Sequence, residues 1–197
     1  IGLQDIIGQL HAKRAVEVAL AGGHSIAFVG NVEAEQLAAW AASHGLTAYA
    51  IQTCPCGYYG KREEGECLCS LEQVGRWRDR KEWAIAMSAD IVIETYEPKA
   101  DEIDRWVDGR RGETEADILS RVERRGPVPA EDSPDSAYKA LLKAAASHLK
   151  LSGKRIGRIE EIAQTIATLA RDSRVRTTHL AEAIQYRPRG HGRLAKI

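Results

Sequence analysis

The four cysteines of this 197-residue chain all lie between residues 54 and 69, in the segments Cys54-Pro55-Cys56-Gly57 and Cys67-Leu68-Cys69. Thiolates grouped this closely favour a metal site, because Zn²⁺ binds four sulfur ligands in closed, tetrahedral structural sites. The hairpin between the pairs is long enough to return the second pair to the first, and Gly57 can take the left-handed turn that directs backbone N–H groups at sulfur. We therefore predict a structural zinc site with the ligands Cys54, Cys56, Cys67 and Cys69.

The alternative interpretation of the cysteines is one or two local disulfides, or free thiols. Cysteines two residues apart are poorly placed to form a disulfide with each other, and nothing in the sequence resembles a secreted protein. The Cys-x-Cys spacing is, however, less diagnostic of zinc than Cys-x-x-Cys. The metal interpretation and the thiol interpretation thus make different predictions about metal content.

Composition limits the classes of function. The chain has 28 basic and 28 acidic residues, so no net field draws it to nucleic acid or to a membrane. No apolar run approaches the roughly 20 residues that span a bilayer, and no signal-peptide pattern is present. The missing initiator Met suggests a trimmed or internal N-terminus. Clustered, reduced cysteines without an export signal predict a cytoplasmic protein that does not contact membranes.

The elements that must position the cysteines follow an alternating pattern of helix and strand. This pattern predicts an α/β core whose strands pair in parallel through right-handed crossovers. Hydrophobic periodicity and turn residues predict strands at 25–30, 46–51 and 90–94 and helices at 4–20, 32–44 and 70–80.

The chain divides by composition into four parts. Residues 1–97 form the α/β core, with the cysteine hairpin at 54–69, and residues 98–134 form a charged, Gly- and Pro-containing linker with one helix near 113–125. Residues 135–187 are predicted to be a helical lid, and residues 188–197 a flexible tail. The lid helices are predicted at 135–151, 154–171 and 178–186.

Three stretches of the sequence resemble one known family, in the family's order. They are Asp5-Ile6-Ile7-Gly8-Gln9-Leu10-His11, Cys54-Pro55-Cys56-Gly57-Tyr58-Tyr59-Gly60, and the C-terminal stretch 151–187 with His179-Leu180-Ala181-Glu182-Ala183-Ile184. They resemble the ComM-type, magnesium-chelatase-like AAA+ ATPases. The resemblance implies a parallel-sheet AAA+ core, a cysteine hairpin and a helical lid. It also implies a hexameric, ATP-driven motor that migrates DNA branches during recombination.

The resemblance assigns five residues to a nucleotide site. Ile7, Gly8 and Gln9 match the segment beside the adenine, Gly30 ends the strand that leads into the phosphate-binding loop, and Arg158 matches the lid arginine that reaches the γ-phosphate. The assignments of residues 7–9 and of Arg158 each have a simpler alternative.

In the simpler alternative, the opening segment merely starts the first helix and packs on the lid. Arg158 would then be a surface cation that pairs with Glu160 or Glu161.

The phosphate-binding loop itself departs from the family. A working loop reads G-x-x-x-x-G-K-[ST], because the glycines and the Lys surround the phosphates and the hydroxyl binds Mg²⁺. After Gly30, this chain has Glu35 in place of the second Gly, Gln36 in place of the Lys and Leu37 in place of the hydroxyl residue. Glu33 and Glu35 also place two carboxylates in the first helical turn, where they would repel a triphosphate.

A deletion removes further parts of the ATPase. Only residues 38–46 separate the loop helix from the next strand, where the family carries the acidic Walker B pair and the DNA-gripping loops. Gln52 replaces the Asn usually found before the cysteine hairpin, and Ser88 stands where the arginine finger is expected. Because such a finger contributes a factor of about 10³–10⁵ in rate, we predict that the chain does not hydrolyse ATP.

Two hypotheses of different classes follow. The first is a non-hydrolysing, zinc-binding pseudo-ATPase that serves as a binding or regulatory module for a protein partner, with DNA processing as its setting. The second is a subunit that binds ATP or ADP weakly, through residues 7–9 and Arg158, and is active only with a partner subunit. A structural remnant without a binding role is a third possibility. The sequence leaves nucleic-acid binding and homo-oligomer formation open.

Overall fold

The computed structural model describes residues 2–59, 67–129 and 135–188, so the middle of the cysteine hairpin, the end of the predicted linker and all but the first residue of the predicted tail lie outside it. A short 3₁₀ turn, Leu3–Asp5, precedes the regular elements. In chain order these are α1 (Leu10–Gly22), β1 (Ile26–Val29), α2 (Val32–Ser43), β2 (Ala48–Ile51), α3 (Leu71–Arg78), α4 (Lys81–Ser88), β3 (Ile91–Glu94), α5 (Ala100–Val107), α6 (Glu115–Glu123), α7 (Ser136–His148), α8 (Gly153–Ala170) and α9 (Thr177–Gln185).

The three strands form one parallel sheet in the order β2-β1-β3, which confirms the predicted α/β class and parallel pairing. In the central strand, Phe28 lies opposite Ala50 on one side and Ile93 on the other. All four residues of β1 are buried, as expected for a parallel strand with helices on both faces of its sheet.

Alternate residues of β1 contribute to two separate cores. Ile26 and Phe28 pack on one face with α1, α2 and the C-terminal helices. Ala27 and Val29 face the other way and pack with Trp83 of α4. The helix that follows β1 and the helices that follow β2 therefore lie on opposite faces. In the order β2-β1-β3 the topological switch point, the usual place for a ligand in open α/β sheets, lies between the carboxyl ends of β1 and β3.

The first helix starts later than predicted. The sequence predicts a helix at 4–20, but α1 begins only at Leu10. The reason lies in the preceding two residues, Gly8 and Gln9, which have φ angles of 63° and 56°. Such left-handed residues cannot continue a right-handed helix.

Two further helices were not predicted. The segment predicted as a single helix at 70–80 is α3, and α4 follows it after a break at Asp79 and Arg80. In the charged segment 98–134, α6 corresponds to the helix predicted near 113–125, and α5 was not predicted. Helix α5 buries none of its residues and contributes to neither apolar core.

The C-terminal helices share a core with the sheet. Ile159 and Ile166 of α8 and Leu180 of α9 belong to the same buried apolar cluster as Val16 of α1 and Phe28 of β1. In the described residues, no helix has the length and apolar character needed to cross a bilayer.

A buried carboxylate in α1 takes part in ion pairs that connect this helix to α6 and α9. Glu17 of α1, whose side chain is 3% exposed, accepts hydrogen bonds from Arg14 of the same helix at 3.0 Å and from Nε of Arg121 of α6 at 2.7 Å. Arg14 also contacts Glu182 of α9, and Arg121 contacts Glu113. The hydrogen bond with Glu17 raises the pKa of Arg121. These contacts tie α1, α6 and α9 together.

Two buried histidines make the stability of the fold depend on pH. Nε2 of His24 lies 2.9 Å from the hydroxyl of Thr165, and burial lowers the pKa of His24. In His179, Nδ1 accepts the backbone N–H of Arg176 at 3.0 Å while Nε2 lies 3.3 Å from Asp172. Burial lowers the pKa of His179 as well. Both rings are therefore neutral in the folded state at pH 7.

We expect the free energy of unfolding to fall as the pH drops from 7.5 to 5.5. The unfolded chain takes up protons near the ordinary histidine pKa of about 6.5, whereas the folded chain resists them, so stability is present above that pH and lost below it. The loss should be about 1–2 kcal/mol over this range, since one such group contributes up to about 1.4 kcal/mol per pH unit. Urea unfolding at several pH values measures this loss of stability.

The variants His24→Gln and His179→Asn each place a polar atom where one ring nitrogen of the histidine lies. Each variant should reduce the dependence of the free energy of unfolding on pH. An unchanged slope in both variants would contradict the assignment.

Candidate functional site

The cysteine loop (residues 52–59 and 67–70) follows directly from β2 and is fastened to α3. The indole N–H of Trp77 donates to the carbonyl of Gln52 at 2.9 Å, and Nε of Arg78 lies 3.4 Å from the carbonyl of Thr53. The hydroxyl of Thr53 donates to the carbonyl of Gly57 at 3.1 Å, which closes the turn. The carboxyl end of β2 and one helix thus hold the first cysteine pair in place.

The four sulfurs lie together, as the sequence predicts. Cys54 Sγ is 3.3 Å from Cys56 Sγ and 3.7 Å from Cys67 Sγ, and the Cys56 and Cys67 sulfurs are 3.5 Å apart. With Cys69 included, all four sulfurs lie within 4.8 Å of one another. The thiols are free, since a disulfide needs about 2.05 Å. Sulfurs at about 2.3 Å from a tetrahedral metal would stand about 3.8 Å apart, so the cluster could hold a metal ion.

A backbone N–H group favours the thiolate form of Cys56, whereas desolvation and crowding disfavour that of Cys67 and Cys69. Gly57 has a φ of 82°, the left-handed turn that its position predicts. The N–H of Tyr58 then reaches the sulfur of Cys56, and this hydrogen bond lowers the pKa of Cys56 to about 6. Desolvation and the neighbouring sulfurs raise the pKa of Cys67 to about 12 and raise that of Cys69. Crowded thiols cannot all ionise unless a cation compensates their charge, which fits a metal site.

Helix α2, which follows β1, begins with the acidic first turn that the sequence predicts. Helix α2 begins at Val32, and Glu33 and Glu35 stand in its first turn. Leu37, at the position of the Mg²⁺-binding hydroxyl, is fully buried in the main core. At Gly30 a side chain would collide with the hydroxyl of Thr95, so the end of β1 lies tightly against the end of β3.

The cysteine loop also touches the start of α2. Asn31, which lies between Gly30 and the helix, packs its side chain so closely on Gly57 that no Cβ would fit at residue 57. The Oδ1 atom of Asn31 is buried and has no hydrogen-bond partner among the described residues. The cysteine loop is thus in direct contact with the residue that precedes α2.

The segment predicted to lie beside an adenine, Ile7 to Gln9, packs against later parts of the same chain. Gln9 is fully buried; its backbone N–H donates to the hydroxyl of Tyr96 at 2.9 Å, and its side-chain amide pairs with the backbone of Tyr96. Gly8 lies against the carboxylate of Glu102, which accepts the Tyr96 hydroxyl at 2.8 Å. The segment therefore packs on the loop after β3 and on α5.

The structure does not bring Arg158 to Gly30. Nε of Arg158 contacts Asp90 at 2.7 Å, and its guanidinium also pairs with Glu161, one of the partners named by the simpler alternative. Asp90 accepts the N–H and the hydroxyl of Ser25, both at 2.9 Å. Ser25 and Asp90 precede β1 and β3, so Arg158 lies at the amino edge of the sheet. Gly30 lies at the carboxyl edge, roughly 17 Å from Ser25 along the strand at 3.3 Å per residue.

Sequence reasoning missed two features near these positions. Arg155 of α8 donates to the carbonyls of Ala89 and Asp90 at 3.1 and 3.2 Å, which fixes the start of β3. A cavity of about 350 Å³ opens at the carboxyl ends of β1 and β2, with Gly30, Gln52 and Trp77 in its wall. Both features join residues far apart in the chain, and no local pattern signals them.

Comparison with known proteins finds two matching family models. The model described as magnesium chelatase, subunit ChlI, matches residues 2–37, and the model described as magnesium chelatase, subunit ChlI C-terminal, matches residues 115–187. The two matches together cover more than half of the chain and lie on either side of the cysteine loop. No curated protein matches the chain.

Proposed function

We propose that this chain, which is magnesium-chelatase-like in residues 2–37 and 115–187, is a non-hydrolysing, ComM-like pseudo-ATPase that serves as a zinc-binding recognition or regulatory module. The observation that carries the proposal is the start of α2, where Glu33 and Glu35 occupy the first turn and Leu37 is buried. A helix start of this kind cannot accept a triphosphate and its Mg²⁺.

The surroundings of this helix support the same conclusion. A nucleotide site needs a cation near the γ-phosphate, but Arg158 is committed to Asp90 and Glu161 at the other edge of the sheet. It also needs space beside the adenine, but Gln9 is buried against Tyr96 and the cavity beside Ile7 and Gly8 has a volume of only about 100 Å³. The alternative of a weakly nucleotide-binding subunit relies on both residues, so the geometry favours the pseudo-ATPase.

Zinc has a structural role in the proposal. The four thiols fit a closed Cys₄ site, which leaves no coordination position for a substrate. When bound, the ion would neutralise the crowded thiolates and hold the second cysteine pair against the first. The cytoplasm, where thiols stay reduced, is the compartment that suits such a site. The metal would keep the surface around the cysteine loop in one conformation for a protein partner.

The test of the proposal is the Gln36→Lys variant. Restoring the lysine alone should leave phosphate release at background, because the acidic start of α2 and the buried Leu37 remain. Isothermal titration calorimetry with ATP and Mg²⁺ should give dissociation constants weaker than about 100 μM for both proteins, since tighter binding needs about 5–6 kcal/mol of contacts. Circular dichroism confirms that the variant is folded. Measurable hydrolysis, or tighter binding by the unmodified chain, would favour the nucleotide-binding alternative.

A further inference from the structure

The cavity at the carboxyl ends of β1 and β2 has the size of a ligand site. Its volume is about 350 Å³, and small-molecule sites start at about 300 Å³. Gly30 and Gln52 line it where the two strands end, and Trp77, Glu35 and Glu82 line it from helices α3, α2 and α4. The cavity therefore lies at the carboxyl edge of the sheet and has the volume of a binding site.

The charged side chains in the cavity wall favour binding of a cation. Glu35 and Glu82 carry two carboxylates, each in the first turn of its helix. Within residues 2–59, 67–129 and 135–188, neither carboxylate forms an ion pair. Arg80 is the basic residue of the lining, so the wall carries a net charge of −1. An anionic ligand would meet two like charges here, and a cationic ligand would meet two opposite ones.

The indole ring of Trp77 in the cavity wall favours a guanidinium over an ammonium group. The indole N–H of Trp77 is held by the carbonyl of Gln52, so the ring has a fixed orientation. The guanidinium carbon of Arg80 lies 4.6 Å from the centre of this ring. A planar guanidinium stacks on an indole face better than the compact, strongly hydrated ammonium of lysine does. The chain's own arginine thus demonstrates the stacking that the ring supports.

We propose that this cavity binds a guanidinium group, presented by an arginine side chain of a partner protein. The group stacks on Trp77 and pairs with Glu35 and Glu82, while Arg80 competes for the same ring. The inference rests on the proposed binding role and names the chemistry of the partner.

The indole N–H resonance of Trp77 in a ¹⁵N-labelled sample reports on the site, and Trp77→Phe identifies that resonance. The probes are a capped Gly-Arg-Gly peptide, methylguanidinium, a capped Gly-Glu-Gly peptide and ADP. The two guanidinium probes should shift the resonance in a saturable manner, and the acidic peptide should not.

Three variants test the cavity wall. Glu35→Gln and Glu82→Gln should each weaken binding of the guanidinium probes about threefold, as expected for exposed ion pairs. Arg80→Ala should strengthen it by a similar factor.

Glu72→Gln is the matched control, because Glu72 lies on α3 outside the cavity and pairs with Arg76. It should leave the affinity unchanged. Weaker guanidinium binding in Arg80→Ala, or no response to either guanidinium probe, would overturn the guanidinium site alone. A saturable response to ADP that disappears in Arg80→Ala would overturn both this inference and the pseudo-ATPase proposal.

Discussion

Replacing Cys54 with serine is expected to abolish stoichiometric zinc binding and to lower the free energy of unfolding by about 4 kcal/mol. Cys54 is fully buried, and its sulfur lies within 3.7 Å of the sulfurs of Cys56 and Cys67, so the cluster cannot close without it. The figure of about 4 kcal/mol corresponds to free zinc at 1,000 times its dissociation constant. Elemental analysis should give about one zinc per unmodified chain, and urea unfolding with and without a chelator should give the energy difference.

Leu68→Ala is the control for this experiment. Leu68 stands between the second pair of cysteines but is 88% exposed, so its removal should change neither zinc content nor stability by a measurable amount. An unmodified protein that contains no metal, has four titratable thiols and is equally stable in a chelator would refute the zinc site.

Replacing Glu17 with alanine is expected to destabilise the fold by about 3 kcal/mol. Glu17 is 3% exposed and holds Arg14 and Arg121 at 3.0 and 2.7 Å. Removal of one member of a buried ionic group costs about 3–5 kcal/mol, because the remaining charges lose their compensation. We expect the lower end of this range, since Arg14 keeps Glu182 and Arg121 keeps Glu113. Urea unfolding at pH 7 measures the change.

Glu113→Gln removes the same kind of charge from the same arginine at an exposed position. The side chain of Glu113 is 48% exposed, so the loss should stay below about 1 kcal/mol. Equal losses in the two variants would show that the buried carboxylate has no special role.

The parts of this molecule that sequence predicts well are those that local chemistry determines. Four cysteines in a short segment, with a glycine able to take a left-handed turn, were enough to predict the sulfur cluster. The strands were predicted because β1 and β3 are short, apolar and β-branched between turn residues. The acidic first turn of α2 follows directly from Glu33 and Glu35.

The parts that sequence did not predict depend on contacts between distant residues. Gln9 takes a left-handed conformation because its side chain pairs with Tyr96, 87 residues later. Arg158 was assigned to a phosphate by resemblance, but the packing of α8 places it beside Asp90. Nothing in the spacing of these residues along the chain specifies which edge of the sheet a later helix reaches.

The contact between Asn31 and Gly57 has a practical consequence for every binding measurement on this protein. Because the side chain of Asn31 lies directly against Gly57, we expect a shift of the cysteine turn on metal loss to move Asn31, the neighbour of the cavity residue Gly30. Samples with full and partial metal content are then different receptors, and titrations from separate preparations become comparable only after their metal-to-protein ratios have been matched.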